Sequence, residues 1–188
     1  MDELERLRAI GAELEVPVVM DSYMLPAERE REKPFPMQAR LLPEAAAKAR
    51  LFCVRTEIGE EAYAQYVRQT LRRVEEFTPD ARLTEMDCMA GKCSFTVNWQ
   101  GALRPCVIMD EPEADVFEQG FERAWRQVSA RCDGLKLNEK CAACQLRPVC
   151  KICPASAKIE TGDWDGVPDY LCRYARETLR LLGEEALS

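Results

Sequence analysis

Between Cys141 and Cys153 the chain reads CAACQLRPVCKIC, four cysteines in thirteen residues, and no histidine occurs anywhere in its 188 residues. Sulfur is therefore the only soft ligand available. Ser-His-Asp and Cys-His catalysis, HExxH sites and mixed Cys/His zinc fingers are all excluded. Ten cysteines leave three competing uses: disulfides, zinc sites and iron-sulfur clusters.

Composition separates these in part. With 47% apolar residues the chain buries a real core without covalent staples, so its cysteines need another reason. It opens MDELERLRAI, with acids in the first turn and no basic stretch leading into an apolar run, and no window approaches eighteen uninterrupted apolar residues. These features predict a soluble cytoplasmic protein with no membrane partner. A reducing compartment disfavours five structural disulfides. The net charge of −7 argues against a nucleic-acid partner, which calls for a basic stripe.

Periodicity places the cysteines on elements. Residues 3–13 read as a short helix with Leu4, Leu7 and Ile10 on one side, followed by EVPVVM (15–20) as a buried strand. LPAEREREKPFPMQAR is an exposed connection, and Pro43 opens a helix over PEAAAKARLFCV. A longer helix covers about 59–77, where Tyr63, Tyr66, Val67, Leu71 and Val74 recur at helical spacing as core. Beyond Thr78-Pro79-Asp80 lie nine of the ten cysteines. SFTVNW (94–99) alternates as a strand with Phe95, Val97 and Trp99 on one face, NWQG turns, and ALRPCVIM returns as a second strand delivering Cys106. A helix over 113–130 follows with Phe117, Phe121, Trp125 and Val128 as its stripe. Then come the cysteine-rich loop and a closing helix, DYLCRYARETLRLL, that carries Cys172.

Spacing sorts the cysteines further. They run Cys88-x4-Cys93-x12-Cys106, then Cys141-x2-Cys144-x5-Cys150-x2-Cys153, then Cys172 after eighteen residues. Without Cys53 and Cys132, eight thiolates remain, enough for two four-ligand sites. Two all-cysteine zinc sites are one solution, but a zinc ribbon separates its CxxC knuckles by roughly 15–20 residues. The five-residue gap here, with Pro154 directly after the last cysteine, is closer to the compact runs of two-cluster ferredoxins. Cys53 falls in an apolar helical stretch and reads as a core thiol. Cys132 is either a spare thiol near the second site or a loop residue without a role.

The order of a cysteine, NWQGALRPC with glycine five residues before its cysteine, C-x2-C-x5-C-x2-C and a lone distant cysteine resembles the SPASM domain, the C-terminal extension of many radical S-adenosylmethionine enzymes. The resemblance spans about 85–175. It departs from the family pattern in having two residues, not three, between Cys150 and Cys153. It implies an interleaved assignment: Cys88, Cys93, Cys106 and Cys153 for a first [4Fe-4S] cluster, and Cys141, Cys144, Cys150 and Cys172 for a second. The expected fold is α+β, a short β-hairpin with helices and cysteine-rich loops around two iron-sulfur clusters (81–188), preceded by the mostly helical end of a partial α/β barrel (1–80).

Cations accompany the candidate ligands in an acidic chain: Lys92, Arg104, Arg131, Lys140, Arg147, Lys151 and Arg173 each lie within three residues of a cysteine. As a set they suit anionic clusters, whose potential nearby cations raise. The catalytic C-x3-C-x2-C spacing of radical S-adenosylmethionine enzymes does not occur in the chain, so the resemblance implies a fragment that begins inside the barrel and does not cleave S-adenosylmethionine by itself. The implied function is that of an auxiliary-cluster region of a maturase acting on a ribosomally made peptide. Its duties are electron transfer and peptide positioning, and its partners the precursor peptide, the radical S-adenosylmethionine barrel portion and a reductant such as ferredoxin or flavodoxin. Two other readings are a zinc-stapled peptide-binding module without a redox role and a free-standing ferredoxin-like electron carrier.

Overall fold

The computed structural model describes residues 2–16, 18–19, 21–23, 40–86 and 88–187. Helix α1 runs Asp2–Glu13, α2 Pro43–Ile58 and α3 Glu60–Glu76. Three short antiparallel strands follow, β1 Thr96–Val97, β2 Ala102–Arg104 and β3 Ala114–Asp115, in the order β1-β2-β3. Helices α4 (Val116–Gln119), α5 (Phe121–Cys132), α6 (Glu139–Ala142), α7 (Pro154–Thr161) and α8 (Asp169–Glu185) complete the chain. This is a mixed helical protein with one small sheet, as the α+β expectation requires.

Helices α2, α3 and α8 form the main body. Pro43 occupies the first turn of α2, where a missing N–H is harmless, and Gly59 at φ +80 separates α2 from α3. Leu51 and Val54 meet Tyr63, Val67 and Leu182 in one core, and Ala46 and Ala47 admit the Tyr174 ring in a second. Helices on either side of residue 80 thus share a core. A second layer is built on the sheet, where Leu103 and Ala114 pack on Ala124 and Val128 of α5. Leu103 sits opposite Val97 and Ala114 in the register and is fully buried.

A buried ion pair ties the chain entering α2 to the end of α7. The Arg40 guanidinium donates two hydrogen bonds to Glu160, at 3.0 and 2.5 Å, with both side chains almost wholly buried. Tyr23 Oη donates to the same carboxylate at 2.8 Å, and Arg40 lies 3.4 Å from the centre of the Tyr170 ring. Burial and then the Glu160 charge hold the Tyr23 phenol far above its ordinary pKa, so it stays a donor.

Several expectations need correction. The buried strand at 15–20 is absent among the described residues: Glu15 turns at φ +54, and Val16, Val18 and Val19 are exposed, with Val18 folded back over Gly11. No described strand lies beside this segment to take its backbone hydrogen bonds. Pro17, Met20 and most of the charged connection (25–39) lie outside the described residues. Leu7 and Ile10 of α1 are exposed, so its apolar stripe is uncovered. The strand at 94–99 shrinks to two residues, and Trp99 is 82% exposed. The helix over 113–130 is broken: residues 114–115 pair with β2, Asp115 then caps α4 by accepting from the N–H groups of Phe117 and Glu118, and Gly120 at φ +79 splits α4 from α5. Phe117 consequently leaves the buried stripe and lies over Gly101 instead. The cysteine-rich stretch also holds two helices, α6 and α7, that the spacing of its cysteines conceals.

Gly101 is the strictest position in the hairpin. It adopts φ +86, and a Cβ there would come within 2.5 Å of the Phe117 ring. Gly101→Ala should destabilise the protein by about 1–3 kcal/mol, and by measurably less in a Phe117→Ala background, as read by urea unfolding. Equal losses in both backgrounds would show that the ring plays no part. Glu160→Gln, which leaves the Arg40 charge buried without its partner, should cost about 3–5 kcal/mol in the same assay.

Candidate metal centres

All ten cysteines are free thiols, and of the eight candidate ligands only Cys141 and Cys172 lie within helices. Cys88 and Cys93 flank a tight turn in which Met89 O accepts from the backbone N–H groups of Lys92, Cys93 and Ser94, and both cysteines are exposed. The hairpin ends at Pro105, so Cys106 lies in a bend after β2 rather than on it. Cys141 belongs to α6, capped by Asn138 Oδ1 on Lys140 N–H. Cys144 and Cys150 lie in the turns that follow, and Cys172 falls in the first turn of α8.

Cys153 has the most specific local setting. It is the N-cap of α7, with Pro154 at the first helical position. Its sulfur accepts from Ser156 N–H at 3.4 Å, and the Ser156 hydroxyl accepts from Cys153 N–H at 2.9 Å. A capping box built on a thiol places the sulfur where unpaired helix N–H groups favour negative charge.

The loop around these residues is anchored at separate points. Gln145 donates to Val74 O at the end of α3, at 2.6 Å, and Val149 packs on the α2-α3-α8 core. Leu137 N–H donates to Thr84 O at 2.7 Å, and Leu137, Cys141 and Ile152 share a core with Ala157 and Leu171.

Neighbouring thiol charges act on several of these cysteines. Burial pushes the Cys150 thiol up to about 11, and the charges of Cys172 and Cys141 add to the shift. Burial likewise raises Cys141, with Cys172 and Cys144 contributing, and Cys172, with Cys144 contributing. Separately, burial raises Cys106, and the charges of Cys153 and Cys88 reinforce it. Cys150 and Cys153, with only Lys151 and Ile152 between them, thus differ in the thiol charges they are coupled to. Among the described residues, no three Cys, Asp or Glu side chains converge as they would around a single metal ion. One tetrahedral zinc draws its sulfurs to about 3.8 Å of one another, given Zn–S bonds of about 2.3 Å.

A cavity of about 170 Å³ lies between the two groups, lined in part by Cys88 and Cys153 from one and Cys150 from the other. Arg147 and Lys151 also face it. Other cations of the sequence set have partners of their own: Arg173 donates to Glu44 of α2 with two bonds of 3.0 Å, Arg104 to Glu113, and Lys92 to the O of Met86, a residue of the cavity lining, at 2.9 Å. Of the basic set, Arg147 and Lys151 line the cavity.

Cys53 is buried in α2, as expected for a core thiol. Cys132 is placed differently from expectation. It ends α5, 2% exposed, and its electrostatic neighbours are Cys88 and Cys106 of the first group rather than the second. The spacing around Cys132 carries no signal of this. The small residues Ala90 and Gly91, against which it packs, are the only hint in the sequence.

Compared with family models, with curated proteins and with solved structures, the chain matches none. The SPASM resemblance therefore rests on cysteine and glycine spacing. Among the described residues, no helix is long and apolar enough to cross a membrane.

Exposure and burial set an order of thiol reactivity. With iodoacetamide near pH 8, metal-free protein should be modified first at exposed Cys88 and Cys93, and last at buried Cys53 and Cys132, the latter held up at about 11 chiefly by burial. Raising the pH from 8 towards 11 should speed Cys132 most. It should also weaken the metal-free fold, because thiols whose folded pKa is raised contribute stability that is lost as pH rises through that value. Peptide mass spectrometry reads the order, and early labelling of Cys132 would contradict it.

Proposed function

We propose that the chain is the auxiliary [4Fe-4S] region of a radical S-adenosylmethionine maturase that modifies a ribosomally made peptide, and that it serves electron transfer and peptide positioning. One observation supports this reading: the charges of Cys172 and Cys141 act on Cys150, whereas the charge of Cys153, just beyond it, acts on Cys106. That crossing follows the interleaved ligand assignment implied by the SPASM resemblance. A single zinc knuckle built on Cys150 and Cys153 would instead bring both sulfurs to one ion.

The residues present suit such groups. Cys88, Cys93, Cys106 and Cys153 would hold the first, and Cys141, Cys144, Cys150 and Cys172 the second. All are thiols, the ligand type that soft iron-sulfur centres take. Bound there, two clusters supply one-electron transfer. The chain's own part is to orient the thiols and to set their surroundings. The α7 N-terminus meets Cys153, and Arg147 and Lys151 face the cavity between the groups, where positive charge favours the anionic form. With every matched cysteine committed and no C-x3-C-x2-C spacing present, S-adenosylmethionine cleavage belongs to the barrel portion of the enzyme.

Anaerobic reconstitution with iron and sulfide should yield a brown protein. Cys153→Ala should lose one paramagnetic signal and Cys172→Ala the other, each with about half of the iron. Loss of the same signal in both variants would overturn the interleaved assignment. A colourless protein that releases zinc on acid treatment would replace the reading with the zinc-stapled module. Given S-adenosylmethionine and a strong reductant, the reconstituted chain should release no 5′-deoxyadenosine above background, and turnover would overturn full ligation.

A further inference from the structure

Two of the three tryptophans and three of the six phenylalanines gather at the hairpin and the helices beside it. The Phe95 ring lies 5.0 Å from that of Phe121 and 5.6 Å from that of Trp125, and Phe117 covers Gly101. Val97 stands opposite Leu103, which packs on α5, so Val97 lies on the same face of the sheet. Phe95 is 43% exposed, Val97 44%, Phe121 48%, Phe117 76% and Trp99 82%. At about 150–250 Å² per aromatic side chain, the exposed parts of these four rings come to roughly 500 Å². That matches the largest apolar patches of ordinary monomers and approaches the ~800 Å² that each partner gives a standard interface.

Beside this patch the sheet is open, for among the described residues no strand lies beyond β1. Asn98 N–H donates to Ala102 O at 3.1 Å. The alternation of an antiparallel pair therefore turns the backbone groups of Thr96 towards β2 and those of Val97 outwards. Edge strands are ordinarily blunted by charge or proline, yet residues 93–103 carry neither in a chain that is 31% charged.

We propose that this edge pairs with the same edge of a second copy of the chain, antiparallel about a twofold axis at Val97. An isologous contact needs a self-complementary surface, and this one is. The register sets Val97 against Val97 of the partner subunit, with two N–H···O bonds exchanged, and Phe95 against Trp99 of the partner subunit. No like charges meet in it, because residues 93–103 are uncharged. The pairing needs no metal and stands apart from the cluster reading.

The test follows the mass of the metal-free full chain in reductant by sedimentation over rising concentration, with amide hydrogen exchange in parallel. The mass should pass from one chain to two. Exchange at Val97 should slow about tenfold as it does, while that at Thr96, already inside the sheet, stays constant. Val97→Lys sets two cations against each other on the axis and should weaken the dimer about a hundredfold, and an equimolar mixture with Val97→Glu should restore it. Trp99→Ala, at a site exposed enough to leave folding unchanged, should weaken it about tenfold and decides the matter if the lysine variant loses its circular dichroism. A chain that stays monomeric at every concentration would overturn the proposal, whether or not an extended peptide takes the edge instead. So would a dimer that both variants leave intact, or a mixture that stays monomeric although both of its members are folded.

Discussion

Two-sided burial of α8 is the constraint on which the other elements depend. Leu182, near one end, is fully buried with Leu51, Val54, Tyr63 and Val67, while Leu171, near the other, packs with Leu137, Cys141, Ile152 and Ala157. A helix rises 1.5 Å per residue, so these two anchors stand about 16 Å apart on one rigid rod. Cys172 is on the same rod. Its position is therefore set by helices that lie far away in sequence, and the cysteine loop is built against a support that the body of the protein already holds.

The Arg40–Glu160 pair braces α7 against the chain that enters α2. Two charges removed from water rarely add net stability, but breaking their partnership is expensive, so such a pair discriminates strongly between correct and incorrect docking. Here it joins Arg40, three residues before α2 begins, to the last turn of α7, with Tyr23 on the carboxylate and Tyr170 under the guanidinium. Because α7 begins at Cys153, the ion pair at one end of that short helix helps to determine where its thiol-capped beginning lies.

The legible parts of this protein were those in which one residue type has one use. Helices α2, α3 and α8 follow from Pro43 and from strong helical spacing of apolar residues, and the hairpin turn follows from Asn98 and Gly101. The helix over 113–130 misled because Val116, Phe117 and Phe121 keep helical spacing while Gly120 breaks the backbone and Asp115, a good cap, restarts it. Tertiary pairing of Ala114 with Leu103 decided the matter, and nothing local reveals that. In the candidate site, spacing marks Cys141, Cys144, Cys150 and Cys153 as one run, and only the resemblance sets Cys153 apart from the other three. Spacing is silent on Cys132, whose place depends on how α5 ends against a turn some forty residues earlier.

The covalent link from Cys150 through Lys151 and Ile152 to Cys153 sets a limit that packing cannot relax. Three residue steps of at most about 3.6 Å keep the two α-carbons within about 11 Å, whatever the rest of the chain does. The two thiol groups are thus leashed to each other. Breathing of the helical core, loosening of the sheet or docking of a partner can tilt one group against the other but cannot carry them apart, so their separation is a property of the polymer rather than of the fold.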